Sequence, residues 1–333
     1  MKAVVCVPGG AELAEVPDPR PGPGQVVVEV DACGLCGSDV HAIEHGMTEP
    51  GQVLGHEFSG RVAETGPGVS GWQAGQAVAV NPVGWCGSCR ACGRGVPWVC
   101  DAAGNLGVTA PGAYAEYVAV PQNQLVALPD GLPTELGAHA EPLAVAVRAV
   151  GLAGLGPGDA ALVYGVGPIG LNVIMCLRLA GLEQIVGAGR SPGRRAAAAQ
   201  VGADVVIDTT EIGVTQYVRD SGRRFAAVFE CSAAPGAITE ALEALEPGGI
   251  CVEVALTQEA PGISMFAMVA SGLRLAGSCS FAPGDYQAAV GHIAAGRVPV
   301  ADIISERVGL DAVPEALTRL RHPGHLVRVL TRP

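Results

Sequence analysis

The run Gly165-Val166-Gly167-Pro168-Ile169-Gly170 constrains this 333-residue chain more than any other feature. It follows the apolar segment 161–164 and opens a helix-like stretch, 170–180. In a strand–turn–helix of this kind the first glycine makes the turn. The second lets a pyrophosphate approach the backbone, and the third lets the helix pack on the strand. The helix N-terminus then offers unpaired amides and partial positive charge to phosphates. Six residues alone are a weak signal in a chain with 48 glycines. Their setting makes the signal strong. Strand-like segments at 184–188, 205–208, 226–230 and 250–255 alternate with helical ones at 194–201 and about 238–245, and a further amphipathic helix at 138–152 precedes them. That rhythm predicts an α/β, doubly wound parallel sheet with a dinucleotide site at Gly165, Gly167, Pro168, Ile169 and Gly170.

The end of the second strand bears on which dinucleotide. NAD sites usually carry an acid there for the adenine ribose hydroxyls. Here the position is Gly189, followed by Arg190 and Ser191, with Arg195 one helical turn on. A carboxylate would repel a 2′-phosphate, whereas Arg190 can pair with one. NADP(H) is therefore favoured over NAD(H). The alternative is that Arg190 is a solvated surface side chain and the site tolerates either cofactor.

The N-terminal part has a different texture. Short β-branched runs at 26–30, 59–63 and 76–80 are separated by Pro/Gly clusters, which predicts a β-rich domain. The tail holds helical stretches at 286–295 and 313–320 and a last strand at 326–330. The expected boundaries are 1–143, 144–280 and 281–333, with a cysteine lobe at 84–102.

Charge and cysteine usage narrow the chemistry. Lys and Arg total 20 against 32 for Asp and Glu, a net charge of −12, which argues against a nucleic-acid partner. The longest uncharged stretch, 160–177, contains the glycine turn and would break as a membrane span, and residues 1–6 lack the apolar core of a signal peptide. A cytoplasmic protein is expected. Eleven cysteines in such a chain favour metal ligation or packing over disulfides. Cys86, Cys89, Cys92 and Cys100 have the spacing to wrap one tetrahedral zinc in a closed, structural site. A second set is dispersed: Cys36, His56, and an acid, Glu141 or Glu57. These would give S, N and O ligands and leave a position open, as a catalytic zinc needs. On spacing alone a buried cysteine and a lone histidine are more often structural.

The motifs Gly34-x-Cys36-Gly37-Ser38-Asp39-x-His41, Gly55-His56-Glu57, the Cys86–Cys100 lobe and the Gly165–Gly170 turn occur in one order along the chain. In this the sequence resembles the zinc-dependent medium-chain alcohol dehydrogenases, especially the sorbitol/threonine dehydrogenase-like branch, over essentially its whole length. The resemblance implies a GroES-like β-barrel catalytic domain, a Rossmann cofactor domain, and a C-terminal segment returning to the catalytic part. It implies one catalytic and one structural zinc per chain, with Cys36, His56 and Glu141 as catalytic ligands and Glu57 as the acid beside the metal. Ser38 matches the hydroxyl that bonds the substrate alcohol, and His41 the relay base. The reaction implied is reversible hydride transfer between an alcohol and the nicotinamide cofactor, giving an aldehyde or ketone. A polyol, sugar or amino alcohol suits the acid pair. An NADPH-dependent carbonyl reductase and a non-catalytic nucleotide-binding protein are the alternatives. The partners implied are a small molecule and further copies of the chain, as a dimer or tetramer.

Overall fold

The computed structural model describes residues 1–100, 104–258, 260–321 and 324–333, so the last two positions of the lobe expected at 84–102 lie outside the described residues. The chain divides into two compact units. One comprises 1–141, 282–296 and 304–333, the other 142–281 and 297–303. The short piece 297–303 thus groups with the second unit, although the sequence assigned all of 281–333 to the first.

The first unit opens with an antiparallel hairpin, β1 (Lys2–Val7) and β2 (Gly10–Glu15). It continues through β3 (Gln25–Gly34), helix α1 (Gly37–Glu44), β4 (Glu57–Thr65) and β5 (Ala77–Val80). One helical turn, α2 (Arg90–Gly93), sits in the cysteine lobe, and β6 (Tyr117–Pro121) and β7 (Leu125–Ala127) follow. Valines make these strands: Val26, Val28 and Val30 of β3 are buried with Phe58 and Val62 of β4 and Val78 and Val80 of β5 in one core.

Helix α3 (Ala140–Ala153) leads into the second unit, six strands that alternate with helices. They are β8 (Ala160–Tyr164), β9 (Gln184–Gly189), β10 (Val205–Asp208), β11 (Phe225–Glu230), β12 (Leu245–Glu253) and β13 (Arg274–Gly277). The helices between them are α4 (Pro168–Leu179), α5 (Pro192–Gln200), α6 (Val214–Ser221), α7 (Ala237–Ala244) and α8 (Met265–Ala270). The strand order is β10-β9-β8-β11-β12-β13, every pair parallel. Leu162, Val163, Val228 and Phe229 are all buried, the continuous apolar pattern of strands covered on both faces. The order reverses between β8 and β11. In sheets of this type ligands bind outside the carboxyl ends of the strands at that point.

The tail supplies α9 (Pro283–Ala294), β14 (Ile304–Val308), α10 (Val313–Arg319) and β15 (Arg328–Thr331). β15 pairs with β3, so the last strand of the chain joins the seven-stranded sheet of the first unit in the order β14-β15-β3-β4-β5-β7, with β6 beside β3. Among the described residues no helix is long and apolar enough to cross a membrane.

Two local starts differ from the sequence expectation. Helix α5 begins at Pro192 rather than 194, because Ser191 caps it with a side chain that accepts from the Arg194 amide. Helix α3 begins at Ala140 after a 3-10 segment, Thr134–His139.

Candidate active site

Cys36 sits at the N-cap of α1, where the Ser38 amide and hydroxyl both point at its Sγ, the hydroxyl from 3.1 Å. Such donors and a helix N-terminus favour a thiolate, while burial pushes the thiol up. His56 and Glu57 approach from the start of β4. One ligand atom each from Cys36, His56 and Glu57 lies within 4.8 Å of the others. Sulfur, imidazole nitrogen and carboxylate oxygen at this separation are a zinc donor set.

The surroundings fix these groups. His56 Nδ1 faces Asp39 Oδ1 at 3.4 Å, which leaves Nε2 to face Ser38 Oγ at 3.5 Å. Burial lowers the imidazole's proton affinity, but Asp39 outweighs it and holds the pKa well above the ordinary histidine value. Asp39 in turn accepts from the Tyr114 hydroxyl at 2.5 Å. A carboxylate behind a ligating histidine orients the ring and raises its basicity. Glu57 forms an ion pair with Arg328 of β15, and both are 2% exposed. Arg328 also donates to the Ala138 carbonyl at 3.2 Å. The sequence reading missed Asp39, Tyr114 and Arg328. A charged residue inside the apolar run 326–330 was the available signal for the last.

Glu141, the third ligand that the resemblance implies, is within electrostatic reach of His56, Glu57 and Arg328. The carboxylate in the compact group is that of Glu57. Glu141 stands in the first turn of α3, where burial pushes its carboxyl up to about 7, with His56 acting against that shift and Glu57 adding to it. Ser38 and His41 lie three residues apart on α1, hence on one helix face. Ser38 is exposed and His41 half-buried, its ring 4.0 Å from that of His45.

Cys86, Cys89, Cys92 and Cys100 also bring their sulfurs within 4.8 Å of one another. Backbone amides point at them: Cys89 N at Cys86 Sγ (3.3 Å) and Cys86 N at Cys100 Sγ (3.4 Å). The Ser88 and Cys89 amides hold the Cys86 thiol down at about 6. Four thiolates leave no open position, so this group is structural.

In the second unit Gly165 ends β8 with φ +98°, a conformation that favours glycine. A Cβ on Gly170 would strike the Gly165 carbonyl oxygen, so the third glycine permits the tight turn into α4. A Cβ on Gly189 would lie 2.6 Å from Val166 Cγ2, so Val166 fills the place where an acidic side chain would start. Arg190 is exposed. Arg195 is committed to Asp208 (2.5 Å) and to the Arg190 carbonyl (2.5 Å). The Arg194 guanidinium, passed over in the sequence, lies 3.5 Å from where a Gly167 Cβ would be.

Two family models cover this architecture, the alcohol dehydrogenase GroES-like domain at residues 22–130 and the zinc-binding dehydrogenase at 168–295. The chain belongs to the zinc-containing medium-chain alcohol dehydrogenase family. L-threonine 3-dehydrogenase of Pyrococcus abyssi is 39% identical over 72% of this chain and 71% of its own. A zinc-binding dehydrogenase of Sinorhizobium meliloti 1021, solved with NADP, superimposes with a TM-score of 0.94 at 31% identity, covering 100% of this chain and 99% of that one. An alcohol dehydrogenase of E. coli CFT073, solved with NADH, gives 0.94 at 27% identity with the same coverage. As a family member the chain is an NAD(P)-dependent zinc dehydrogenase acting on alcohols, with a GroES-like and a Rossmann-type domain.

Proposed function

We propose that the chain transfers a hydride reversibly between a hydroxylated small molecule, a polyol, sugar or amino alcohol, and a nicotinamide cofactor, with NADP(H) as the preferred one. The observation that carries the catalytic part is the Cys36–His56–Glu57 group, braced by Asp39 and Arg328 and flanked by Ser38 and His41. Cys36 and His56 hold the catalytic zinc. Glu57 is the carboxylate in place, and Glu141 is the second one within electrostatic reach. A zinc held there would supply Lewis acidity toward an alcohol oxygen, and a bound nicotinamide would supply the hydride acceptor or donor. Ser38 orients the substrate hydroxyl and takes up its proton, and His41, one turn on, passes it to solvent. The four-cysteine lobe holds the structural zinc. Similarity to L-threonine 3-dehydrogenase supports an amino alcohol among the substrates.

The glycine turn 165–170 holds the dinucleotide phosphates. Support for NADP(H) is the combination of Gly189, blocked by Val166, with Arg190 beside it. Calorimetric titration of the zinc-loaded protein tests this. NADP should bind more tightly than NAD, and Arg190→Ala should weaken NADP about tenfold while leaving NAD unchanged. Tighter NAD binding would sink the NADP reading and favour catabolic oxidation, whereas a confirmed NADP preference suits a carbonyl reductase working toward the alcohol.

We infer further that copies of the chain associate through the second unit. β13 is an edge strand with Leu275 39% exposed, and Met265, Phe266 and Val269 of α8 are 66%, 84% and 78% exposed. Unpaired strand edges and apolar patches of this kind are interaction surfaces. Light scattering should show a dimer or tetramer, and Phe266→Asp with Val269→Asp should shift it to monomer. A wild-type monomer removes the inference.

A further inference from the structure

Glu230 and Glu253 end β11 and β12 and are register partners in the parallel sheet, so their side chains leave the same face on adjacent strands. Glu230 is 1% exposed. Its carboxylate accepts from the Ser232 amide (2.8 Å), the Ser232 hydroxyl and the Ala233 amide (3.2 Å). It thereby holds Ala233 at φ +52°, an unusual conformation for a non-glycine residue. This turn bears directly on the glycine run. A Cβ on Gly165 would lie 2.7 Å from both Ser232 Cβ and Ser232 N.

Glu253 has a different environment. Both its carboxyl oxygens are buried and accept from no donor among the described residues. A buried carboxylate with no donor is costly, whereas the neutral acid can itself donate to Glu230. Burial first, then the Glu230 charge and that hydrogen bond, push Glu253 up to about 8. The other titratable groups nearby are Tyr164 of β8, Glu240 of α7, Cys251 of β12 and Cys231. Burial pushes Tyr164 and Cys251 up to about 12 and Cys231 well above the usual thiol range.

We propose that Glu253 is a positioning residue for the dinucleotide: its neutral acid braces Glu230, which holds the Ser232–Ala233 turn against Gly165, and loss of its proton to solvent loosens that turn and weakens binding. The inference rests on the glycine turn being the phosphate cradle, as proposed above. By linkage the dinucleotide must favour the protonated acid by the same factor.

The test is the NADPH dissociation constant of the zinc-loaded enzyme, read by NADPH fluorescence from pH 7 to 9.5. For the wild type it should rise at least about fivefold across a break near pH 8. Glu253→Gln, which still donates but cannot ionise, should keep the wild-type affinity at pH 7 and show no break. Glu253→Leu, which can neither donate nor ionise, should also show no break but should bind NADPH at pH 7 as weakly as the wild type does above its break, which separates the hydrogen bond from the charge. A Glu253→Leu variant with wild-type affinity at pH 7 overturns the brace. A wild type without a break, or a Glu253→Gln variant with the same break, overturns the proposal. Gly167→Val checks the underlying reading separately. If it binds NADPH as the wild type does, the cradle lies elsewhere and the proposal falls with it. If it loses binding while the wild type shows no break, only the role of Glu253 falls.

Discussion

Cys36→Ser and His56→Ala should each lower turnover by at least about a thousandfold while leaving dinucleotide affinity nearly unchanged. The zinc is asked for several kcal/mol of stabilisation, and each 1.36 kcal/mol is tenfold in rate, so losing it leaves only positioning. The separation of effects follows from the structure. Cys36 and His56 belong to one compact unit and the glycine turn to the other. Zinc content measured by mass spectrometry should fall from two per chain to one, because the four-cysteine lobe is untouched. The same assay sorts the carboxylates: Glu57→Gln and Glu141→Gln should differ in retained catalytic zinc, and the one that loses more is the ligand. Near-normal turnover with full zinc content in either Cys36→Ser or His56→Ala would remove the proposed metal site.

What was legible in the sequence was local. The glycine turn, the four cysteines within fifteen positions and the Cys36–His41 run each declare themselves by spacing, because the backbone brings such neighbours together whatever the rest of the chain does. The doubly wound parallel sheet was legible from the alternation of apolar runs. Long-range pairings were not legible. Glu57 and Arg328 are 271 residues apart and meet only because β15 joins β3 next to β4. Spacing could not choose between Glu57 and Glu141, since both flank motifs of the right type and only the tertiary placement puts Glu57 in the compact group. The role of Asp39 was not legible from its motif, because which side of α1 faces His56 depends on how the helix packs. The helix start at Pro192 could have been read from Ser191-Pro192, and reading it would have brought Arg194 nearer the fingerprint. Glu253 had a signal too: an acid interrupting the apolar run 250–255 has no purely structural reason to be there.

Arg328→Met should destabilise the first unit by about 3 kcal/mol. Arg328 and Glu57 are both 2% exposed, so removing the guanidinium strands a carboxylate in the interior rather than returning it to water. The fold has made room for this pair. A Cβ at Gly34 would overlap both the Arg328 guanidinium and the Glu57 carboxylate, so β3 carries a glycine where they cross. The ion pair itself is a different matter from its breakage. A buried pair recovers in attraction roughly what it loses in desolvation, so taking away both charges costs less than taking away one. The double variant Arg328→Met/Glu57→Gln should therefore be more stable than Arg328→Met alone. All three tryptophans, Trp72, Trp85 and Trp98, lie in the first unit, so their fluorescence in urea at saturating zinc follows the unfolding of the part that holds the pair. Wild-type stability in Arg328→Met, or a double variant no more stable than the single one, would show that Glu57 does not depend on Arg328. Glu57 would then be free to serve the metal alone, and the brace assigned to β15 would be packing rather than electrostatics.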